Sequence, residues 1–68
     1  MMAKIQLNGK KISIKSNFSI LDLLKKYKMI NKKIAIECNG TIIPKTKYNK
    51  RLLKNNDKVE IVHFIGGG

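Results

Sequence analysis

Apolar and polar residues alternate strictly near the start of the chain. Ile5 and Leu7 fall on one side, and Lys4, Gln6 and Asn8 on the other. A period of two puts successive side chains on opposite faces, so this stretch reads as a half-buried strand. Asn8-Gly9 comes next, and both residues tolerate the positive φ that a two-residue type I′ hairpin needs. From Lys10 to Lys15 the alternation returns, with Ile12 and Ile14 inward and Lys11, Ser13 and Lys15 outward. The period then lengthens. Ile20, Leu23, Leu24 and Tyr27 recur at i, i+3, i+4 and i+7, the spacing of one apolar stripe on a helix, expected to pack against the sheet. Ser19 is a good N-cap, and Asp22 at the third helical position approximates a capping box at the positive end of the helix dipole. Phe18 and Leu23 have the spacing of a hydrophobic staple. Lys25, Lys26 and Lys28 lie where the dipole favours positive charge.

Alternation resumes at Ile34, Ile36 and Cys38, with Ala35 and Glu37 between them. Asn39-Gly40 turns this third strand back into a short fourth one, Thr41 to Ile43. Pro44 ends it, because proline cannot donate to a ladder. Residues 45–54 read as a basic connection anchored by Tyr48, Leu52 and Leu53, and Asn55-Asn56-Asp57 reads as a turn. The last strand runs from Lys58 to about Ile65. Val59 and Ile61 face the core, and Val62 and Phe64 fall on the opposite face. The order β-β-α-β-β-β describes an α+β domain, one sheet with a single main helix laid across it. Parallel pairing of the first and last strands would make it a β-grasp sheet, and the pattern allows that pairing.

With 68 residues the chain holds at most one domain. We assign the folded domain to residues 1–65 and a flexible tail to residues 66–68. A domain of this size buries only about 60 % of the surface that its unfolded chain exposes, which leaves little room for a deep catalytic pocket. No acid–base or nucleophile pair is spaced for catalysis, so the chain reads as a module that enzymes act upon. No apolar run approaches the roughly 20 residues of a membrane span, and no apolar stretch of signal-peptide type follows Met1, so the expected location is the cytoplasm with no membrane partner. Cys38 is the single cysteine and His63 the single histidine, which gives neither an intrachain disulfide nor a metal site. Cys38 reads as a small, partly buried strand residue, and His63 as a partly exposed structural or contact residue.

The formal net charge is +11. It is compatible with a nucleic-acid partner or an acidic protein partner. Arginine is the residue preferred for bidentate phosphate and base contacts. It occurs once, at Arg51, and the lysines are spread along the chain rather than blocked. The pattern argues against dedicated nucleic-acid binding and resembles residue usage biased toward A- and T-rich codons.

The sequence closes Val62-His63-Phe64-Ile65-Gly66-Gly67-Gly68. Ordering glycine costs more backbone freedom than ordering any other residue, about 1–2 kcal/mol per position, so a run of three is expected to be mobile. Residues without Cβ can thread a narrow channel. They would carry one chemical group, the α-carboxylate of Gly68, into another protein's active site. A carboxylate is a poor electrophile until activated, for example by adenylation. Exposed apolar side chains beside that terminus, Val62, Phe64 and Ile65, suggest a docking patch.

Taken together, these features resemble the ThiS family of sulfur carriers in thiamine biosynthesis. The resemblance runs from about Lys4 to Gly68. It rests on Asn8-Gly9, on Ser19-Ile20-Leu21-Asp22-Leu23-Leu24, and on Asn39-Gly40 with Ile43-Pro44 and Tyr48. It also rests on Asn56-Asp57-Lys58-Val59-Glu60-Ile61 and, most specifically, on the closing run Val62 to Gly68. Asn56 stands where the family often has Gly, and Lys45 follows Pro44 where Arg is frequent. Neither departure touches the tail.

The resemblance implies a ubiquitin-like β-grasp fold with a mixed five-stranded sheet. It implies a carrier that binds no cofactor itself. A ThiF-type adenylyltransferase would use ATP and magnesium to adenylate Gly68, and a sulfur donor would convert the adenylate to a thiocarboxylate. A ThiG-type thiazole synthase would take the sulfur. Gly67 and Gly68 correspond to the activated terminus, and Gly66 extends the thread. Two alternatives stay open at this point: a sulfur carrier for molybdopterin or another pathway, and a small basic nucleic-acid-binding β-grasp domain.

Overall fold

The computed structural model describes residues 1–63. The expected β-β-α-β-β-β order is present: β1 Met2–Leu7, β2 Lys10–Lys15, α1 Ile20–Lys26, β3 Ile34–Cys38, β4 Thr41–Ile43 and β5 Lys58–His63. The anticipated continuation of β5 to Ile65 and the tail at 66–68 lie outside the described residues. The five strands form one sheet in the order β2-β1-β5-β3-β4. Three pairings are antiparallel: β1 with β2, β3 with β4 and β3 with β5. The fourth, β1 with β5, is parallel, with Gln6 opposite Lys58 and Leu7 opposite Val59. That is the pairing of first and last strands which makes a β-grasp sheet, and it places β5 in the centre.

Both Asn-Gly hairpins adopt the left-handed conformations that their sequence predicts. Asn8 and Gly9 have φ of 47° and 85°, and Asn39 and Gly40 have 53° and 84°. The helix start is equally literal. Ser19 Oγ accepts from the Asp22 N–H at 3.0 Å, and Asp22 Oδ2 accepts from the Ser19 N–H at 3.0 Å. Together the two bonds make a complete capping box. At its other end α1 closes with a Schellman motif. The Met29 N–H donates to the Leu24 carbonyl at 2.8 Å, and the Lys28 N–H donates to the Lys25 carbonyl at 3.1 Å. Lys28 is left-handed, with φ 57°.

One face of the sheet receives α1. Ile20, Leu23 and Leu24 from the helix join Ala3, Ile5, Ile14, Ile34, Ile36, Val59 and Ile61 from the strands in a single core. Each fully buried aliphatic side chain stabilises the fold by about 1.5–3 kcal/mol relative to exposure.

Three expectations need correction. Tyr27, the fourth member of the helical stripe, is 40 % exposed, because α1 stops at Lys26 and the chain reverses hand at Lys28 before a further turn forms. Leu52 is 44 % exposed, whereas Tyr48 and Leu53 are buried as anticipated. Residues 51–53 run extended beside residues 18–20: the Ile20 N–H donates to the Arg51 carbonyl at 3.0 Å and the Leu53 N–H to the Phe18 carbonyl at 2.7 Å. Neighbours on an extended segment point opposite ways, so Leu53 turns inward and Leu52 outward. Cys38, expected to be partly buried, belongs to the core, opposite Val59 on one side and Thr41 on the other. The basic connection also contains a short 3-10 turn, Lys45–Lys47, which the sequence pattern does not suggest.

Candidate functional site

The elements that matter for a C-terminal working group are those that hold β5, since this strand leads into residues 64–68. Its start is pinned by a buried carboxylate. Asp57 Oδ1 accepts from Asn39 Nδ2 at 2.9 Å, and Oδ2 accepts from the Lys54 N–H at 2.8 Å, with Arg51 Nη2 at 3.5 Å. Asn39 then reaches the strand itself. Its Oδ1 accepts from the Lys58 N–H at 2.8 Å, and its own N–H donates to the Lys58 carbonyl at 2.8 Å. Left-handed Asn56 at φ 72° donates its N–H to the Lys4 carbonyl at 2.8 Å, which ties this turn to β1.

The far part of β5 is held on both sides. Toward β3, Ile61 stands opposite Ile36, Val62 opposite Ala35 and His63 opposite Ile34. Toward β1, the Asn8 N–H donates to the Val59 carbonyl at 2.9 Å. The Asn8 side chain then continues the ladder: its Oδ1 accepts from the Ile61 N–H at 2.7 Å, and its Nδ2 donates to the Ile61 carbonyl at 3.3 Å.

The alternation expected of β5 is present. Val59 and Ile61 are buried, whereas Val62 is 54 % exposed on the open face of the sheet, away from α1. Exposed Ile42 of β4 lies on that same face, opposite Glu37, and Glu37 stands opposite Glu60. His63 is exposed at the strand's end. Phe64, Ile65, Gly66, Gly67 and Gly68 lie outside the described residues.

Other chemistry is sparse in this part of the molecule. Among the described residues no group of three or more His, Cys, Asp or Glu side chains could hold a metal ion. The Cys38 thiol has its pKa raised by burial, and Arg51 Nη2 lies 3.2 Å from its Sγ. Arg51 also donates to the Leu52 carbonyl. This makes the single arginine a structural tie between Cys38, Asp57 and the loop. A groove of about 420 Å³ beside α1, lined by Leu21, Ile30, Lys45 and Asn49 among others, carries no carboxylate, histidine or thiol. The residues that sequence reasoning missed are therefore Asn8, Asn39, Asp57 and Arg51 in their long-range roles. Local pattern marks the first three only as turn residues.

Comparison with known proteins agrees with this geometry. A model of the ThiS family matches residues 4–68. The sulfur carrier protein ThiS of Bacillus subtilis (strain 168) is 45 % identical over 65 residues, which cover 94 % of this chain and 98 % of that protein. A thiazole synthase of Paramagnetospirillum magneticum is 35 % identical over 65 residues, 96 % of this chain but 20 % of that larger protein. The crystal structure of a thiamine biosynthesis protein (ThiS) from Geobacter metallireducens superposes with a TM-score of 0.79 at 25 % identity, covering 96 % of this chain and 99 % of the other.

Proposed function

The chain belongs to the ThiS family, and from that premise we propose that it serves as the protein-bound sulfur carrier of thiamine biosynthesis, with the α-carboxylate of Gly68 as its working group. The observation that supports this reading is the span of the family match, residues 4–68, which includes Gly66-Gly67-Gly68.

The chemistry follows from what a carboxylate lacks. An oxygen of the Gly68 carboxylate attacks the α-phosphorus of ATP on a ThiF-type adenylyltransferase, and pyrophosphate leaves. The partner, with its magnesium, supplies the electrostatic stabilisation of that step. The acyl adenylate is now a competent electrophile. Hydrosulfide delivered by a sulfur donor attacks its carbonyl carbon, AMP departs with the former carboxylate oxygen, and loss of the thiol proton leaves a thiocarboxylate. Thiazole synthase then takes the sulfur. The presence of a stretch similar to this chain within proteins named thiazole synthase supports that acceptor. In this cycle the chain is a co-substrate, it binds no cofactor of its own, and it acts in the cytoplasm where ATP is available.

Docking falls to the open face of the sheet at the end of β5. Val62 sits there exposed, immediately before the residues that must enter the partner, and Phe64 and Ile65 follow it in sequence. The decisive experiment incubates the chain with its adenylyltransferase, ATP, magnesium and a sulfur donor, and weighs the product. Replacement of one carboxylate oxygen by sulfur raises the intact mass by the difference between the two atoms. A mass that never changes overturns the carrier reading. Rescue of a thiamine auxotroph, against a molybdopterin-deficient strain, distinguishes the pathway.

A further inference from the structure

The two strands that make the parallel pair separate early. Backbone register between β1 and β5 covers Gln6 with Lys58 and Leu7 with Val59, after which β1 turns away into its hairpin. Without help, β5 beyond Val59 would lack a partner on the β1 side. Asn8 supplies one. Its carboxamide contains the same donor and acceptor as a peptide group. It meets the Ile61 peptide at both ends, with Oδ1 accepting the Ile61 N–H at 2.7 Å and Nδ2 donating to the Ile61 carbonyl at 3.3 Å.

The turn alone does not require this. The left-handed φ at position 8 would suit Asp or Gly as well as Asn. Only a carboxamide offers both a donor and an acceptor to the Ile61 peptide. Two residues after Ile61 the chain passes His63 and runs into the segment that ends at Gly68. A side chain in the first hairpin thus holds the last described part of β5, more than fifty residues away in sequence.

We propose that Asn8 is a positioning residue for the C-terminal working group: by completing the β1–β5 ladder at Ile61 it fixes the direction in which the chain leaves the domain. The inference rests on the carrier reading above. Attack on a phosphorus requires near-attack geometry, and small misplacement of a reacting atom lowers the rate without weakening the docking that precedes it. Asn8 therefore acts on kcat, whereas the docking face at Val62 acts on KM.

The test compares the full wild-type chain with Asn8→Gly, which keeps the left-handed backbone and removes the carboxamide, and Asn8→Asp, which restores the acceptor for the Ile61 N–H. Ser19→Ala, which loses the helix cap far from β5, controls for lost stability. Two readouts are needed: amide hydrogen exchange at Ile61, and pyrophosphate exchange with the ThiF-type adenylyltransferase. In Asn8→Gly, exchange at Ile61 is expected to accelerate by about tenfold or more while Ile36 stays protected, since local opening is governed by the local hydrogen bonds. Its kcat is expected to fall about three- to tenfold with KM within about twofold. Asn8→Asp recovers part of the kcat, and Ser19→Ala leaves it unchanged.

Unaltered Ile61 exchange, or a kcat loss no larger than that of Ser19→Ala, overturns the inference while the carrier reading stands. A wild-type chain that supports no pyrophosphate exchange overturns both.

Discussion

Lys28 occupies the left-handed position after α1, with φ 57°. The Schellman geometry is best served there by glycine. A Cβ in that conformation costs on the order of 1 kcal/mol. Lys28→Gly is therefore expected to stabilise the domain by about 0.5–1 kcal/mol, read as a higher urea midpoint at unchanged m value. At the other end of the helix, hydrogen bonds from the Ser19 backbone and hydroxyl to Asp22 hold its carboxyl below the ordinary aspartate range. A carboxyl whose pKa is depressed on folding contributes stability that is present above its unfolded value and is lost as pH falls through the folded one. Wild type should thus lose urea resistance on acidification below the usual aspartate pKa. Asp22→Asn should flatten that part of the pH profile. The Asn residues are legible only in part. Positive φ at Asn8 and Asn39 follows from the Asn-Gly pairs. Their side-chain bonds to Ile61 and to Asp57 and Lys58 join places that no local pattern connects.

Among the elements, the β3–β5 pair carries opposed forces. Glu37 and Glu60 stand directly opposite one another on the open face, and like charges so placed are destabilising. Glu60→Gln is expected to raise stability by about 0.2–1 kcal/mol. Thermal unfolding at low salt should show the gain, and added salt should shrink it. The turn before β5 behaves in the opposite sense. Asp57 is 5 % exposed and satisfies Asn39, the Lys54 N–H and Arg51 at once. Asp57→Ala takes a partner from each of those groups, leaving the Lys54 N–H and Asn39 Nδ2 without their carboxylate acceptor, and should cost about 2–4 kcal/mol, measured by denaturant titration. From sequence, Asp57 reads as one more polar turn residue. Its burial follows from where β1 and β3 pass, which periodicity does not report. Tyr27 shows the same limit from the other side: the apolar stripe is real, but the helix stops one residue before it.

Over the whole molecule, hydrophobic period and turn chemistry are enough to give the element order and the helix placement. The parallel β1–β5 pairing is permitted by the pattern and emerges only with the assembled sheet. The exposed face is legible in Val62, because a strand with one buried face exposes the other. Val62→Asp should raise the KM of the adenylyltransferase for this carrier by about tenfold, as expected for an exposed anchor at an interface, with little change in melting temperature. One residue appended after Gly68 should leave the melting temperature unchanged and abolish adenylation, because an amide replaces the carboxylate.

The central position of β5 has a mechanical side. An enzyme that grips the end of the polypeptide pulls along the axis of a strand bonded to β1 on one flank and β3 on the other. Such a load runs parallel to the strands, so the rungs on both flanks share it instead of parting one after another. Tension applied at the C-terminal end of β5 would thus be met by a strand braced from both sides, and not by an edge strand such as β2 or β4.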